Sequence, residues 1–270
     1  MHPITDSLSG ARVGVVGAGR LGTALSAALR GAGVDLEGPA GRGEVPRGCD
    51  AIVLCVPDAE IPAAAATVAG AAPLVGHTSG ATPLSALAAA GAAAFGVHPL
   101  QTFPERPASE AAAAGADFGP SAALAAFAGA GCAIAGSTAE ALAFADGLAR
   151  LLGMTPFEID DEGRAAYHAA ASVASNFVVT LLGAAERIAG GAGLAPDEAR
   201  ALLAPLVRRT VESLAELGPE RALTGPIARG DHATVEAQRR AVQDAAPELL
   251  DLFDELVRRT RALAGQEVSA

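Results

Sequence analysis

Between residue 12 and about residue 159, short apolar runs alternate with stretches of helical period. Arg12-Val13-Gly14-Val15-Val16 is the first run, and a glycine-rich turn and a helix to about Arg30 follow it. Val34-Asp35-Leu36-Glu37 reads as a second strand and Ala51-Ile52-Val53-Leu54-Cys55-Val56 as a third. Leu74-Val75-Gly76, Ala94-Phe95-Gly96-Val97, Cys132-Ala133-Ile134-Ala135 and Phe157-Glu158-Ile159 continue the series. An Ala/Leu helix from about Thr138 to Leu152 lies between the last two. Nearly continuous apolar runs suit strands covered on both faces, which is the mark of a parallel sheet. Strand and helix in alternation predict an α/β, doubly wound sheet over residues 1–159.

From Asp160 the period changes. The acidic turn Asp160-Asp161-Glu162-Gly163 is followed by one long helical run from Arg164 to about Ala189. Helices are expected at Pro196–Leu217, Ala233–Ala245 and Pro247–Ala264, with Pro196 and Pro247 where a first-turn proline is tolerated. No strand signal remains, so residues 160–270 are expected to be an all-α domain. Ala169 to Ala185 is the most apolar stretch, but Ser172, Ser175, Asn176 and Thr180 interrupt it, so it reads as a buried helix, not a membrane span. Ala63–Ala72 and Ala111–Ala116 are alanine-biased without being separate modules.

Composition narrows the chemistry. The net charge of −11 argues against sequence-independent nucleic-acid binding and cationic membrane attachment. All 19 basic residues are arginine, which excludes Schiff-base chemistry and a phosphate-binding lysine. Cys49, Cys55 and Cys132 form no C-x-x-C pair and suit reduced thiols in a cytoplasm. The start, Met1-His2-Pro3-Ile4-Thr5-Asp6, lacks the features of a signal peptide. The five histidines show no metal-ligand spacing, so no metal is expected.

The sharpest motif is Gly17-Ala18-Gly19-Arg20-Leu21-Gly22, a G-x-G-x-x-G that follows a strand and opens a helix. Gly17 permits the tight turn, Gly19 lets backbone approach a pyrophosphate, and Gly22 allows helix to pack on strand. The helix N-terminus then offers free N–H groups to the phosphates. The motif in this context reads as a Rossmann dinucleotide site, the alternative being a Gly-rich βα turn with no ligand. Glu37, twenty residues after Gly17, would favour NAD(H) by holding a ribose. Arg42, in the loop after the second strand, would favour NADP(H) by pairing with a 2′-phosphate, with Arg20 adding to it. NADP(H) is preferred.

Ligands of such sheets bind outside the carboxyl ends of the strands. Val56-Pro57-Asp58, His77-Thr78-Ser79-Gly80 and His98-Pro99-Leu100 fall there, as ligand contacts or as hydrogen-bonded turns. Farther on, His168, Ser172 and Asn176 recur every four residues, and Ser175 is seven from His168. These would share one helix face, against a substrate or another helix. Arg229 could clamp a carboxylate, or pair with Asp231 in a helix-capping turn.

Together these motifs resemble the Rossmann-like bacterial proteins whose C-terminal half is a domain of unknown function, 2520. That group lies in the 6-phosphogluconate dehydrogenase-like superfamily, near ketopantoate reductase and pyrroline-5-carboxylate reductase. The resemblance rests on Val16–Gly22, Cys55–Asp58, His77–Gly80, His98–Leu100, Tyr167–Ala171 with Ser175-Asn176-Phe177, and Thr224-Gly225-Pro226 with Arg229-Gly230-Asp231. It implies an NADP-dependent oxidoreductase whose helical domain closes the active-site cleft and often dimerises. Many members use a helix lysine. This chain has none, and His168 with Asn176 is the natural replacement. A second departure is the Gly/Pro-rich stretch Gly38–Asp50, where no helix is evident.

The expectation is a cytoplasmic, homodimeric reductase of a small 2-oxo acid or imine, with ketopantoate as first guess. Val56, Pro57, His77 and Ser79 would flank the nicotinamide. His168 would protonate the substrate, Asn176 would orient its carbonyl, and His98 or Arg229 would hold a carboxylate. Ser172 and Ser175 would line the substrate. The alternatives are a non-catalytic NADP sensor and a methyltransferase on a similar sheet.

Overall fold

The computed structural model describes residues 10–103 and 120–266. The start of the chain and the alanine-rich run at 111–116 lie outside the described residues. Within them the chain divides into two compact units, Met1–Ser172 and Val173–Ala270.

The first unit is built on seven strands: β1 (Arg12–Val16), β2 (Asp35–Ala40), β3 (Ala51–Leu54), β4 (Leu74–His77), β5 (Ala93–Pro99), β6 (Gly131–Gly136) and β7 (Thr155–Glu158). They form one sheet in the order β2-β1-β3-β4-β5-β6-β7. β2, β1, β3, β4 and β5 run parallel, and so do β6 and β7. β6 is antiparallel to β5, a departure from the all-parallel expectation. The apolar pattern of a buried strand carries no direction, so this reversal has no signature in the run itself.

Side-chain alternation sends the core to both faces of the sheet. On one face α1 (Arg20–Gly31), α3 (Pro120–Ala125) and α4 (Ala139–Leu151) meet Val13, Val15, Phe95 and Val97. On the other, α2 (Ile61–Thr67) and a 3₁₀ segment (Leu84–Ala90) meet Ile52, Leu54 and Val75. The Thr138 hydroxyl fixes the start of α4 by accepting the Ala141 N–H at 3.1 Å. Between β2 and β3 the chain runs as a loop with no helix, as the Gly/Pro content requires.

After β7 come α5 (Arg164–Ala174) and α6 (Asn176–Ala189). The single helix expected from Arg164 to Ala189 is therefore two, broken at Ser175, whose backbone sits at φ −123° and ψ −77°. The buried-helix reading of Ala169–Ala185 also fails, because Val173, Phe177 and Val179 are exposed. Hydropathy measures what a helix can bury, not what covers it. The second unit continues with α7 (Pro196–Leu217), a short α8 (Pro219–Ala222), α9 (His232–Ala245) and α10 (Leu250–Leu263).

Candidate functional site

The turn between β1 and α1 has the geometry its glycines suggest. Gly17 has φ +106°, and a Cβ there would lie 2.2 Å from the Cys55 carbonyl oxygen, so no other residue fits. A Cβ on Gly22 would lie 1.9 Å from the Gly17 oxygen, which is how closely α1 approaches the turn. Gly19 is the opposite case, because a Cβ there would meet nothing within 4 Å. Gly19 precedes α1 without a side-chain cap, and the first turn of α1 carries no acidic residue. Its N-terminal N–H groups and partial positive charge are therefore left for an anion. The open space above Gly19, the bare helix end and the exposed Ala18 and Arg20 fit a dinucleotide's diphosphate. Leu21 is half-buried and packs against the core, so its contribution to this cradle is its backbone.

The tip of β2 lies beside this turn, because the Gly17 N–H donates to the Ala40 carbonyl at 2.9 Å. Glu37 lies inside β2 and its carboxylate is taken by the Arg12 guanidinium. It is not the strand-end acid that a ribose contact requires. Arg42 follows the tip and meets Glu60 at 2.8 Å with 85% of its side chain exposed. Such a surface pair is weak and is readily exchanged for a phosphate.

The carboxyl edge of β4 and β5 holds the titratable groups. His77 is wholly buried, and its Nδ1 accepts the Ser79 N–H at 3.2 Å. Burial, reinforced by the nearby charge of Arg164, lowers its pKa to about 4. The Ser79 hydroxyl donates to the Thr82 hydroxyl and accepts the Ala81 and Thr82 N–H groups. The side chains of His77 and Ser79 thus build the turn, and the His77 Nε2 is buried without a hydrogen-bond partner among the described residues. Val56, half-buried beside Gly17, and exposed Pro57 stay at the edge.

His98 is different. It is half-buried at the end of β5, and its Nδ1 and the Tyr167 hydroxyl share a hydrogen bond of 2.6 Å. Its ring stands 6.0 Å from that of His168, edge to face. Gly80 makes room for this pair, because a Cβ there would lie 2.8 Å from the His98 ring and 2.9 Å from the His168 ring. Burial, then the adjacent His168, lowers the His98 pKa to about 4. Burial likewise raises the Tyr167 hydroxyl to about 12. Around pH 7 His98 is a neutral imidazole and Tyr167 an intact phenol, so His98 supplies a hydrogen bond and not a positive charge.

Arg164, Tyr167 and His168 stand at i, i+3 and i+4 on α5, one helix face that meets β5. Arg164 is buried over Gly96 and pairs with Asp161 at 2.7 Å, which anchors the start of the helix. Tyr167, Gly80 and Arg164 were not among the expected site residues. The sole tyrosine beside a histidine, with an arginine on the same face, was the available signal. Ser172 is half-buried farther along α5 in the first unit, whereas Ser175, Asn176 and Arg229 belong to the second. Among the described residues no group of three or more His, Cys, Asp or Glu could hold a metal ion.

Residues 130–260 match the family model of a domain of unknown function, DUF2520. None of the curated proteins matches the chain. Among solved structures, a proposed NADP oxidoreductase from Bacteroides fragilis is similar with a TM-score of 0.73 and 22% identity, covering 93% of this chain and 98% of that one. A Thermotoga maritima protein is similar with a TM-score of 0.68 and 24% identity, covering 94% and 98%. Pyrroline carboxylate reductase from Plasmodium falciparum, solved with NADP bound, has a TM-score of 0.59 and 12% identity, covering 95% and 99%. At these identities the likeness establishes the fold. The sheet order and the glycine-rich turn give the chain a Rossmann-like fold, and its residues 130–260 are similar to the DUF2520 domain.

Proposed function

We propose that the protein is an NADP(H)-dependent oxidoreductase that reduces a small 2-oxo acid or imine, ketopantoate-like in size, in the cytoplasm. The observation that carries this is the pairing, within one unit, of an open diphosphate cradle over Gly19 with the His98–Tyr167–His168 cluster. The proposed NADP oxidoreductase and the NADP-bound reductase among the similar structures support the cofactor class. The three free cysteines suit a reducing compartment.

In this reading the backbone of Gly17–Gly22 holds the diphosphate and Arg42 the 2′-phosphate, while Val56 and Pro57 border the ring. A bound nicotinamide supplies the hydride. His168 donates the proton that the reduced oxygen or nitrogen needs. The Tyr167 phenol donates to His98 Nδ1, so His98 keeps a proton on Nε2 and presents it as a neutral donor to the substrate. A positioned general acid contributes about 10²–10⁴-fold. His168→Ala should therefore lower kcat by a factor in that range with the NADPH Kd unchanged. Loss of NADPH absorbance over a panel of 2-oxo acids and imines, read beside calorimetric NADPH binding, tests this. An unchanged kcat would remove His168 from the chemistry, and tight binding without turnover across the panel would instead favour a sensor.

The working form in this reading is a homodimer. Two neighbouring helices of the second unit leave large apolar side chains exposed, among them Phe177 and Val179 on α6 and Leu202, Leu206, Val211 and Leu214 on α7. At roughly half of each side chain's area, these and their neighbours offer on the order of 800 Å², what one partner contributes to a standard interface. The segment Arg164–Ala192 is also long and apolar enough, by length and composition, to cross a membrane. The net charge of −11 disfavours an anionic lipid surface, and a second copy of the chain is the cover we favour.

A further inference from the structure

The second unit carries a cleft of about 600 Å³ lined by Arg229, His232, Arg261 and Gln266. Its basic character is unusual for this chain. The net charge is −11, and several arginines of the unit, Arg200, Arg239 and Arg258 among them, sit against carboxylates. Neither Arg229 nor Arg261 has an ion-pair partner among the described residues. Asp231, two residues from Arg229, caps the start of α9, where it accepts the Thr234 N–H at 3.1 Å and the Thr234 hydroxyl at 2.7 Å, and its charge is also felt by Arg229 and His232. Gln266 donates its amide to the Ile227 carbonyl, which ties the end of the chain's last described turn to the loop that carries Arg229.

Two guanidinium groups facing one cleft repel each other, and the arrangement is relieved by a ligand that brings negative charge between them. Guanidinium donors match the oxygens of phosphate or carboxylate, and His232 adds a further ring nitrogen. We propose that this cleft is a binding site for a compact dianion, either a phosphate group or a pair of carboxylates on a small molecule. The site is built wholly from the second unit and is independent of the coenzyme reading.

The test uses the full chain without coenzyme. Thermal unfolding and calorimetry are measured with inorganic phosphate, with malonate, and with sodium chloride at matched ionic strength. The expected result is a rise in Tm with phosphate or malonate beyond that in chloride. Hydrogen bonds to charged groups make each of Arg229→Gln and Arg261→Gln weaken that binding by about tenfold or more, and the double variant should abolish it. A Tm in chloride equal to that of the wild type shows that the variants fold. Binding of phosphate alone assigns a phosphoryl ligand and of malonate alone a dicarboxylate. No rise beyond chloride, or a rise undiminished in the double variant, overturns the proposal.

Discussion

His77 and His98 lie at the ends of adjacent parallel strands but in different surroundings. His77 turns inward and is fixed by the Ser79 N–H, whereas His98 is held by Tyr167 beside His168. The sequence placed both at the strand ends, because apolar runs mark where strands stop. It could not say which imidazole is sealed, because burial depends on the 3₁₀ segment and on α5 closing over the sheet. Sealing His77 makes stability depend on pH. His77 has a folded pKa of about 4 against an ordinary value of 6.5, so acid protonates the unfolded chain first. Its contribution is complete above pH 6.5 and is lost as pH falls through 4. His77→Asn keeps an acceptor for the Ser79 N–H but cannot titrate. In urea unfolding across that window, this variant should show a shallower loss of stability, by up to ~1.4 kcal/mol per pH unit. An identical slope in the two proteins would show that His77 is not held neutral.

The central elements of the first unit were legible because β1, β3 and β5 are nearly unbroken apolar runs, whereas β2 and β7 carry polar residues. Where reading fell short, the missing information was non-local. The direction of β6 is set by the connection that precedes it, and the break at Ser175 lies in a stretch whose alanines and serines suit a continuous helix. At the tip of β2 the difference is one of register. The strand runs on to Ala40, so Glu37 stays within it, bound to Arg12, and the loop beyond presents Arg42. Arg42→Ala should therefore weaken NADPH binding by about tenfold while leaving NADH binding nearly unchanged, since a charged hydrogen bond contributes about 1.5–3 kcal/mol. Paired calorimetric titrations would show this, and an equal effect on both coenzymes would move the 2′-phosphate contact elsewhere.

At the scale of the whole chain, an α/β unit with its own two-faced core is joined to a helical unit with large exposed apolar side chains. Light scattering at micromolar concentration should give the mass of a dimer, and Phe177→Glu with Leu206→Glu should convert it to a folded monomer. A monomeric wild type would contradict the homodimer. The dinucleotide cradle itself is tested most directly at Gly19, where backbone φ is −73° and a methyl group would touch nothing in the protein. Calorimetric titration of NADPH and NADP⁺ into the wild type and Gly19→Ala, with Tm measured for both, separates folding from binding. The expected result is coenzyme binding by the wild type, at least about tenfold weaker binding by the variant, and no change in Tm. Absence of heat with either coenzyme at millimolar concentration, or equal affinity in the two proteins, would contradict a diphosphate seated on this turn.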